Sequence, residues 1–106
     1  MIYITLICCL GMSTSMLVDR MQKAAQQAGL EVDIAAMSDS AFNRSERKTD
    51  ILLLGPQITY LLEEIEKVHG GGGMIIAVID RVDYGMMNGE KVLKDALALL
   101  KEEGQK

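Results

Sequence analysis

The chain has 106 residues, of which 49% are hydrophobic and 25% are charged, and its formal net charge is -4. This balance is typical of one soluble globular domain, and it excludes a disordered tail, a collagen-like repeat and a small disulfide-bonded scaffold. Because nonspecific nucleic-acid binding requires clustered cations, the excess of acidic over basic residues predicts that nucleic acid is not a partner.

The cysteine and hydropathy patterns predict a cytoplasmic protein with one domain over residues 1–106. No apolar run approaches the roughly 18 residues that span a bilayer, and the first residues lack the basic segment of a signal peptide. Cys8 and Cys9 are adjacent, so they cannot cross-link distant segments. With a single histidine, His69, and no spaced thiols, we expect no metal site and no cofactor.

The first half of the chain alternates between strand and helix patterns. Residues 2–7 form a nearly continuous apolar run, which predicts a strand covered on both faces. Apolar residues then recur at Leu17, Met21, Ala24 and Ala28, which predicts a helix over 13–28 that ends at Gly29. In 30–36, apolar and acidic residues alternate at first, which predicts an edge strand.

The second half of the chain repeats this alternation. A polar connection at 38–50, with room for one short helix, is followed by a predicted strand at 51–54 and a helix that begins at Pro56. A glycine loop at 70–73 then leads to a predicted strand at 74–79. The last predicted elements are a loop at 80–87 and a helix capped by Asn88.

Alternating strands and helices predict an α/β fold, because parallel strands are joined by right-handed helical crossovers. We therefore expect a small open, doubly wound sheet of four parallel strands with helices on both faces. Ligands bind such sheets beyond the carboxyl ends of the strands, where the strand order reverses. The first strand usually lies at that point, so the loop that follows it is the expected site.

The segment from Cys8 to Ser15 has the residues that a phosphate-binding loop needs. Gly11 allows a tight turn, and Ser13, Thr14 and Ser15 offer hydroxyls where a helix begins. The first N–H groups of a helix have no partner within the helix, and the helix dipole adds partial positive charge there. These groups predict a cradle for a phosphoryl group.

A cysteine at the end of the first strand places a thiol beside this cradle. The same N–H groups would stabilise a thiolate and lower the pKa of the cysteine, which makes the sulfur nucleophilic. A buried core cysteine is the competing interpretation. Because side chains alternate along a strand, only one of Cys8 and Cys9 can point into the loop, and the spacing does not say which.

Three blocks of the sequence carry a resemblance to a known family. They are Cys8-x-x-Gly11-Met12-Ser13-Thr14-Ser15, then Leu52-Leu53-Leu54-Gly55-Pro56-Gln57-Ile58-x-Tyr60-x-Leu62, and finally Ile79-Asp80 with Tyr84-Gly85 and Val92-Leu93-Lys94. In these blocks the chain resembles the IIB component of the lactose/cellobiose/chitobiose family of bacterial phosphotransferase-system sugar transporters. The resemblance covers almost the whole chain, and the blocks occur in the same order.

The resemblance implies that Cys8 is the residue that is phosphorylated, and that Cys9 stands where the family commonly has a small residue such as serine. It implies a phosphoryl carrier that works with a IIA phosphohistidine protein and a membrane IIC transporter holding the sugar, and that is transiently recruited to the membrane by IIC. Nothing in the sequence demands more than a monomer. The residues expected to hold the phosphoryl group are Cys9, Leu10, Gly11, Met12, Ser13, Thr14 and Ser15.

Three further residues are candidates for an accessory role, each with a plainer alternative. Asp80 follows the fourth strand, where it would otherwise serve as a helix cap. Tyr84 would border the site or simply pack in a loop, and Gln57 would contact a partner or pack at the start of a helix. Met12, Met86 and Met87 are predicted to form an adaptable apolar docking patch, or else to fill loop packing.

The main alternative function is a hydrolase resembling the low-molecular-weight tyrosine phosphatases. Those enzymes use Cys-x5-Arg in a similar loop, whereas the sixth residue after Cys8 is Thr14. Without that guanidinium, we expect hydrolysis of a phosphocysteine to be slow. A thiol redox protein is disfavoured because Cys-x-x-Cys is absent, and a module that binds a phosphorylated ligand without covalent chemistry remains a third possibility.

Overall fold

The computed structural model describes residues 1–7, 12–45, 47–69 and 73–104. The elements are β1 (Ile2–Ile7), α1 (Met12–Gln27), β2 (Val32–Met37), α2 (Asp39–Arg44), β3 (Ile51–Leu54), a 3₁₀ helix (Pro56–Leu61), α3 (Leu62–His69), β4 (Ile75–Val78), α4 (Arg81–Gly85) and α5 (Gly89–Gly104).

The four strands form one parallel sheet in the order β2-β1-β3-β4. At its carboxyl edge, Ile7 is in register with Met37 on one side and with Leu54 on the other, and Leu54 is in register with Val78. From β1 the chain first continues to its neighbour on one side, β2, and the later strands β3 and β4 lie on the other side of β1. This order makes β1 the switch point and confirms the predicted doubly wound sheet.

Each face of the sheet is covered by its own apolar cluster. Ile4 and Leu6 of β1 belong to the cluster that includes Leu17 and Met21 of α1 and Leu93 of α5. The opposite cluster contains Ile7 and Leu52 from the sheet together with Phe42, Ile58 and Ile65 from the helices that cover this face. Burial on both faces explains why β3 is a continuous apolar run and why β1, apart from the buried Thr5, is nearly one.

The end of α1 follows the predicted glycine stop. Gly29 has a φ of 70°, and the N–H of Leu30 donates to the carbonyl of Ala25 at 2.9 Å. A left-handed residue after the last turn satisfies carbonyls that the helix leaves free, and glycine adopts this φ without steric cost. The predicted apolar stripe is wrong at its end, because Ala25 is fully buried whereas Ala28 is exposed.

Two predicted elements differ in kind from the observed ones. The segment after Pro56 begins as a 3₁₀ helix, with Ile58 at φ -118° and ψ 29°, before α3 continues it. The predicted loop at 80–87 contains α4, because the Asp80 carboxylate accepts bonds from the N–H groups of Val82 and Asp83 and caps a short helix. A single turn of helix has no repeating apolar pattern, so its cap is its main sequence signal.

The start of α5 is fixed by a cap and by close packing. The Asn88 side-chain oxygen accepts from the Lys91 N–H at 3.2 Å, which confirms the predicted cap. Gly89 lies against the backbone of α1, where an added Cβ would be 2.6 Å from the Met21 nitrogen and 2.7 Å from the Arg20 carbonyl carbon. Glycine is therefore required there for α1 and α5 to approach this closely.

Candidate functional site

The strands β1, β3 and β4 end side by side at the carboxyl edge of the sheet. The N–H of Gly55 donates to the Ile7 carbonyl at 3.0 Å, and the N–H of Ile79 donates to the Leu54 carbonyl at 2.8 Å. The residue that follows Ile7 in the chain is Cys8. Residues 8–11 lie outside the described residues, so the roles of Cys8, Cys9, Leu10 and Gly11 stay predictions.

The first turn of α1 lies just beyond this edge and has the electrostatic character that an anion requires. The helix is 16 residues long and has no acidic side chain in its first turn. Its first N–H groups have no acceptor within the helix, and the dipole places partial positive charge on them. Ser15 is exposed and Thr14 is buried, while the side chains of Met12 and Ser13 lie outside the described part.

Thr14 is bonded to Tyr84, one of the three accessory candidates. The Thr14 Oγ1 and the Tyr84 Oη are 3.2 Å apart, and the two residues are only 3% and 7% exposed. This bond joins the first turn of α1 to α4 across 70 residues of sequence. Sequence reasoning placed both residues near the site but missed their pairing, since nothing local links a serine/threonine cluster to a distant tyrosine.

Asp80, the second accessory candidate, serves as the cap of α4. Its Oδ2 accepts from the N–H groups of Val82 at 3.0 Å and Asp83 at 3.1 Å, which confirms the capping interpretation. Any additional part for Asp80 in phosphoryl transfer stays a prediction.

An ion pair joins α4 to α5. The Lys91 ammonium donates to Asp95 at 2.9 Å and to the nearly buried Asp83 at 3.0 Å. These two hydrogen bonds, first to Asp95 and then to Asp83, raise the pKa of Lys91 above its ordinary value. Lys91 therefore stays charged through the neutral range, and its link between α4 and α5 does not respond to pH there.

A surface pocket of about 320 Å³ lies where the segments after β3 and β4 meet, and it brings Gln57 and Tyr84 together. Its lining residues are Pro56, Gln57, Arg81, Tyr84 and Gly85. Arg81 was not among the candidates from sequence reasoning. The sequence feature that could have identified Arg81 is its position as a basic residue directly after Asp80. In the structure Arg81 lines the pocket at the carboxyl edge of the sheet, where we expect an anion to bind.

The predicted methionine patch is not present as a uniform exposed surface. Met86 is 70% exposed, but Met87 packs against the core cluster that contains α1 and α5. Met87 also has a φ of 55°, because the chain turns between α4 and α5 at this residue. The Met12 side chain lies outside the described part.

Two absences hold for the residues that the structure describes. Within them no helix is both long enough and apolar enough to cross a bilayer. The same residues contain no cluster of three or more His, Cys, Asp or Glu side chains that could hold a metal ion.

Comparison with known proteins identifies a family. Residues 3–95 match the family model described as "PTS system, Lactose/Cellobiose specific IIB subunit". The chain is 39% identical over 97 residues to the oligo-beta-mannoside-specific EIIB component of Bacillus subtilis (strain 168), with coverage of 92% of this chain and 94% of the relative. It is 42% identical over 102 residues to the galactose-specific EIIB component of Lactococcus lactis subsp. cremoris (strain MG1363), with the same coverage.

Solved structures agree with this result. The cellobiose-specific phosphotransferase IIB component from Borrelia burgdorferi superposes with a TM-score of 0.78 at 35% identity, covering 96% of this chain and 94% of that one. The lactose-specific IIB component domain from Streptococcus pneumoniae has a TM-score of 0.81 at 16% identity, covering 92% and 95%, and supports the fold alone. The family match and the relatives that are 35% or more identical favour a phosphoryl carrier over a phosphatase. The chain belongs to the lactose/cellobiose-specific IIB subunit family of the phosphotransferase system.

Proposed function

We propose that this IIB protein carries the phosphoryl group on the sulfur of Cys8. The observation that supports this most is the position of Cys8 in the chain. It directly follows Ile7 at the carboxyl edge of β1, the switch-point strand, and it precedes by four residues a 16-residue helix with no acidic side chain in its first turn. A helix N-terminus stabilises a nearby thiolate and makes the sulfur more nucleophilic, which supports attack by Cys8 on a bound phosphoryl group.

The first transfer takes the phosphoryl group from a phosphohistidine of a IIA partner. The Cys8 thiol loses its proton to water, and the thiolate electron pair forms a sulfur–phosphorus bond. The nitrogen–phosphorus bond breaks, its electron pair stays on the imidazole nitrogen, and the ring takes up one proton from water so that it leaves as neutral imidazole. Backbone N–H groups of residues 9–15 and the hydroxyls of Ser13, Thr14 and Ser15 stabilise the three equatorial oxygens during this in-line step.

The second transfer delivers the group to a sugar held by a membrane IIC partner. The sugar hydroxyl attacks phosphorus and gives its proton to water, the sulfur–phosphorus bond breaks, and Cys8 is regenerated as a thiolate. We assign the sugar to the cellobiose, lactose and chitobiose class. The protein works as a cytoplasmic monomer that binds IIC transiently at the membrane, and Gln57, Asp80 and Tyr84 are accessory to the site.

Intact mass spectrometry tests the assignment of Cys8. We expect the purified protein to gain the mass of one phosphoryl group after mixing with a phosphorylated IIA protein of the same family. Cys8→Ser should abolish the gain. Cys9→Ser is the matched control, because it removes the neighbouring thiol, and it should retain the gain. Modification that persists in Cys8→Ser would contradict the proposal.

The lifetime of the modified protein separates a carrier from a hydrolase. We expect the phosphorylated protein to keep its phosphoryl group in buffer at neutral pH, because Thr14 stands where the phosphatases have arginine. We also expect negligible turnover of p-nitrophenyl phosphate. Loss of the group to water within seconds, or sustained turnover of that ester, would favour the hydrolase.

A further inference from the structure

We propose that Tyr84 is a positioning residue for phosphoryl transfer, and that its hydroxyl acts through Thr14 to fix the direction of the first turn of α1. This inference rests on the proposed function of Cys8. It assigns to Tyr84 a defined task that the resemblance and the comparisons do not give it.

The hydrogen bond between Thr14 and Tyr84 is buried, so water has little access to replace either partner. Both residues are more than nine-tenths buried, and their oxygens are 3.2 Å apart. Removing either hydroxyl leaves the other in a site with little access to water, so each oxygen strongly favours the paired arrangement. The pair therefore restrains the α1 turn more firmly than an exposed bond of the same length would.

Tyr84 can restrain α1 because its own helix is held by other contacts. Asp80 caps α4 at its start, and Asp83 is paired with Lys91 of α5. Just after α4, the carbonyl of Met87 accepts from the Arg20 guanidinium at 3.1 Å. The Tyr84 hydroxyl is thus a fixed point, and α1 is held against it at Thr14.

The direction of this turn controls how well the loop holds a phosphoryl group. The backbone N–H groups of the first turn move together with Thr14, since they belong to one helix. Transition-state stabilisation depends on donors that are already aimed at the developing charge, and misplacement by about 1 Å lowers rates by up to about 100-fold. Loss of the Thr14–Tyr84 hydrogen bond leaves the N–H donors in place but lets their direction vary. We therefore expect the rate of phosphoryl transfer to fall about tenfold.

The experiment measures the rate of transfer from phosphorylated IIA to this protein by rapid quench, together with its dependence on IIA concentration. Tyr84→Phe should lower the maximal rate about tenfold and leave the half-saturating IIA concentration unchanged. Tyr3→Phe is the matched control, because it removes a hydroxyl near the amino end of β1, and it should transfer at the wild-type rate. Thermal unfolding of each variant establishes that the measured protein is folded.

A double-mutant cycle tests whether Tyr84 acts through Thr14. In a Thr14→Val background, Tyr84→Phe should have almost no further effect, since the bond is already absent. In a Thr14→Ser background, which keeps a hydroxyl, Tyr84→Phe should again lower the rate. Full additivity of the two changes, or a wild-type rate for Tyr84→Phe, would overturn the inference while Cys8 is still phosphorylated. Failure of the proposed function appears separately, as phosphorylation that survives Cys8→Ser.

Discussion

Two polar networks join distant parts of this chain, and they differ in what they hold. The α4 network consists of Asp80, Asp83 and Tyr84 with their partners Thr14 and Lys91, and it lies beside the carboxyl edge of the sheet. The Arg47 network consists of Arg47 with Thr5, Thr49, Asp33 and the carbonyl of Ile4. It lies over β1 and β2, away from the first turn of α1.

The Arg47 network concentrates its bonds on one cation. The guanidinium donates to the Thr5 hydroxyl at 2.9 Å, to the Ile4 carbonyl at 3.1 Å and to the Asp33 carbonyl at 2.9 Å, and it pairs with the Asp33 carboxylate at 3.1 Å. Its side chain is only 18% exposed. Thr5 is fully buried and also bonds Thr49 at 2.8 Å. One side chain therefore bridges the central strand and an edge strand.

The α4 network divides its bonds among several side chains: Asp80 accepts two, Lys91 donates two, and one joins Thr14 to Tyr84. Loss of one of these bonds leaves the other contacts of α4 in place, so we expect the fold to survive while, under the proposal for Tyr84, the first turn of α1 loses a restraint. Loss of Arg47 removes several charge-assisted bonds at once from the sheet itself. We therefore expect the Arg47 network mainly to set stability and, under the proposal for Tyr84, the α4 network mainly to set the geometry of transfer.

The largest expected effect on stability comes from Arg47→Met, which keeps an apolar stem but removes every bond of the guanidinium. We expect the free energy of unfolding to fall by about 2–3 kcal/mol, since charge-assisted bonds from a mostly buried group are lost. Urea unfolding followed by circular dichroism measures this. Arg44→Met, at an exposed position in α2, is the control and should change stability little. Equal losses in both variants would show that the Arg47 network stabilises the fold no more than an exposed arginine does.

A smaller effect is expected from Gly89→Ala, which acts on the contact between α1 and α5. The new methyl group would meet the α1 backbone at 2.6 Å, so the two helices must separate. We expect a loss of about 1–3 kcal/mol, typical of overpacking. The rate of phosphoryl transfer should also fall, because α1 moves relative to Tyr84.

Gly85→Ala is the control for unfolding, since a Cβ at Gly85 meets no atom within 4 Å. It should be neutral or slightly stabilising, as alanine is the better helix former. If Gly89→Ala were as stable as the native protein, the close approach of α1 and α5 would not require glycine.

The smallest expected effect comes from Lys91→Met, which leaves the nearly buried Asp83 without its cation. We expect a modest decrease in the midpoint of thermal unfolding. Lys67→Met is the control, since Lys67 pairs with Glu63 at 3.8 Å on an exposed helix surface, and such pairs contribute little. A decrease of the same size in both variants would show that the link from α4 to α5 is no stronger than a surface pair.

The pH dependence of this effect follows from the pKa of Lys91, which is raised in the folded protein. A raised pKa means that the stabilisation is complete below the ordinary value of 10.5 and is lost as the pH rises through the folded pKa. The difference between the native protein and Lys91→Met should therefore be constant across the neutral range. It should shrink only in strongly alkaline buffer, provided the fold persists there.

Local patterns in the amino-acid sequence were enough to predict several strands and helix boundaries. The runs at 2–7 and 51–54 identified two strands with the observed bounds, and Gly29 and Asn88 marked helix ends. Alternation of these elements was sufficient for a doubly wound parallel sheet, because crossover handedness and burial allow few other arrangements. The same alternation located the expected site after β1, and the segment from Cys8 to Ser15 there was the first of the three blocks that carry the resemblance.

Contacts between residues far apart in the chain could not be predicted and became apparent from the folded structure. Thr14 and Tyr84 are 70 residues apart, and Arg47 and Thr5 are 42 residues apart. No periodicity connects such pairs, since their contact depends on how helices pack across a sheet edge. The need for glycine at Gly89 arises in the same way, from the distance between two helix backbones. Local patterns therefore specify the elements, and packing specifies the contacts that hold the site.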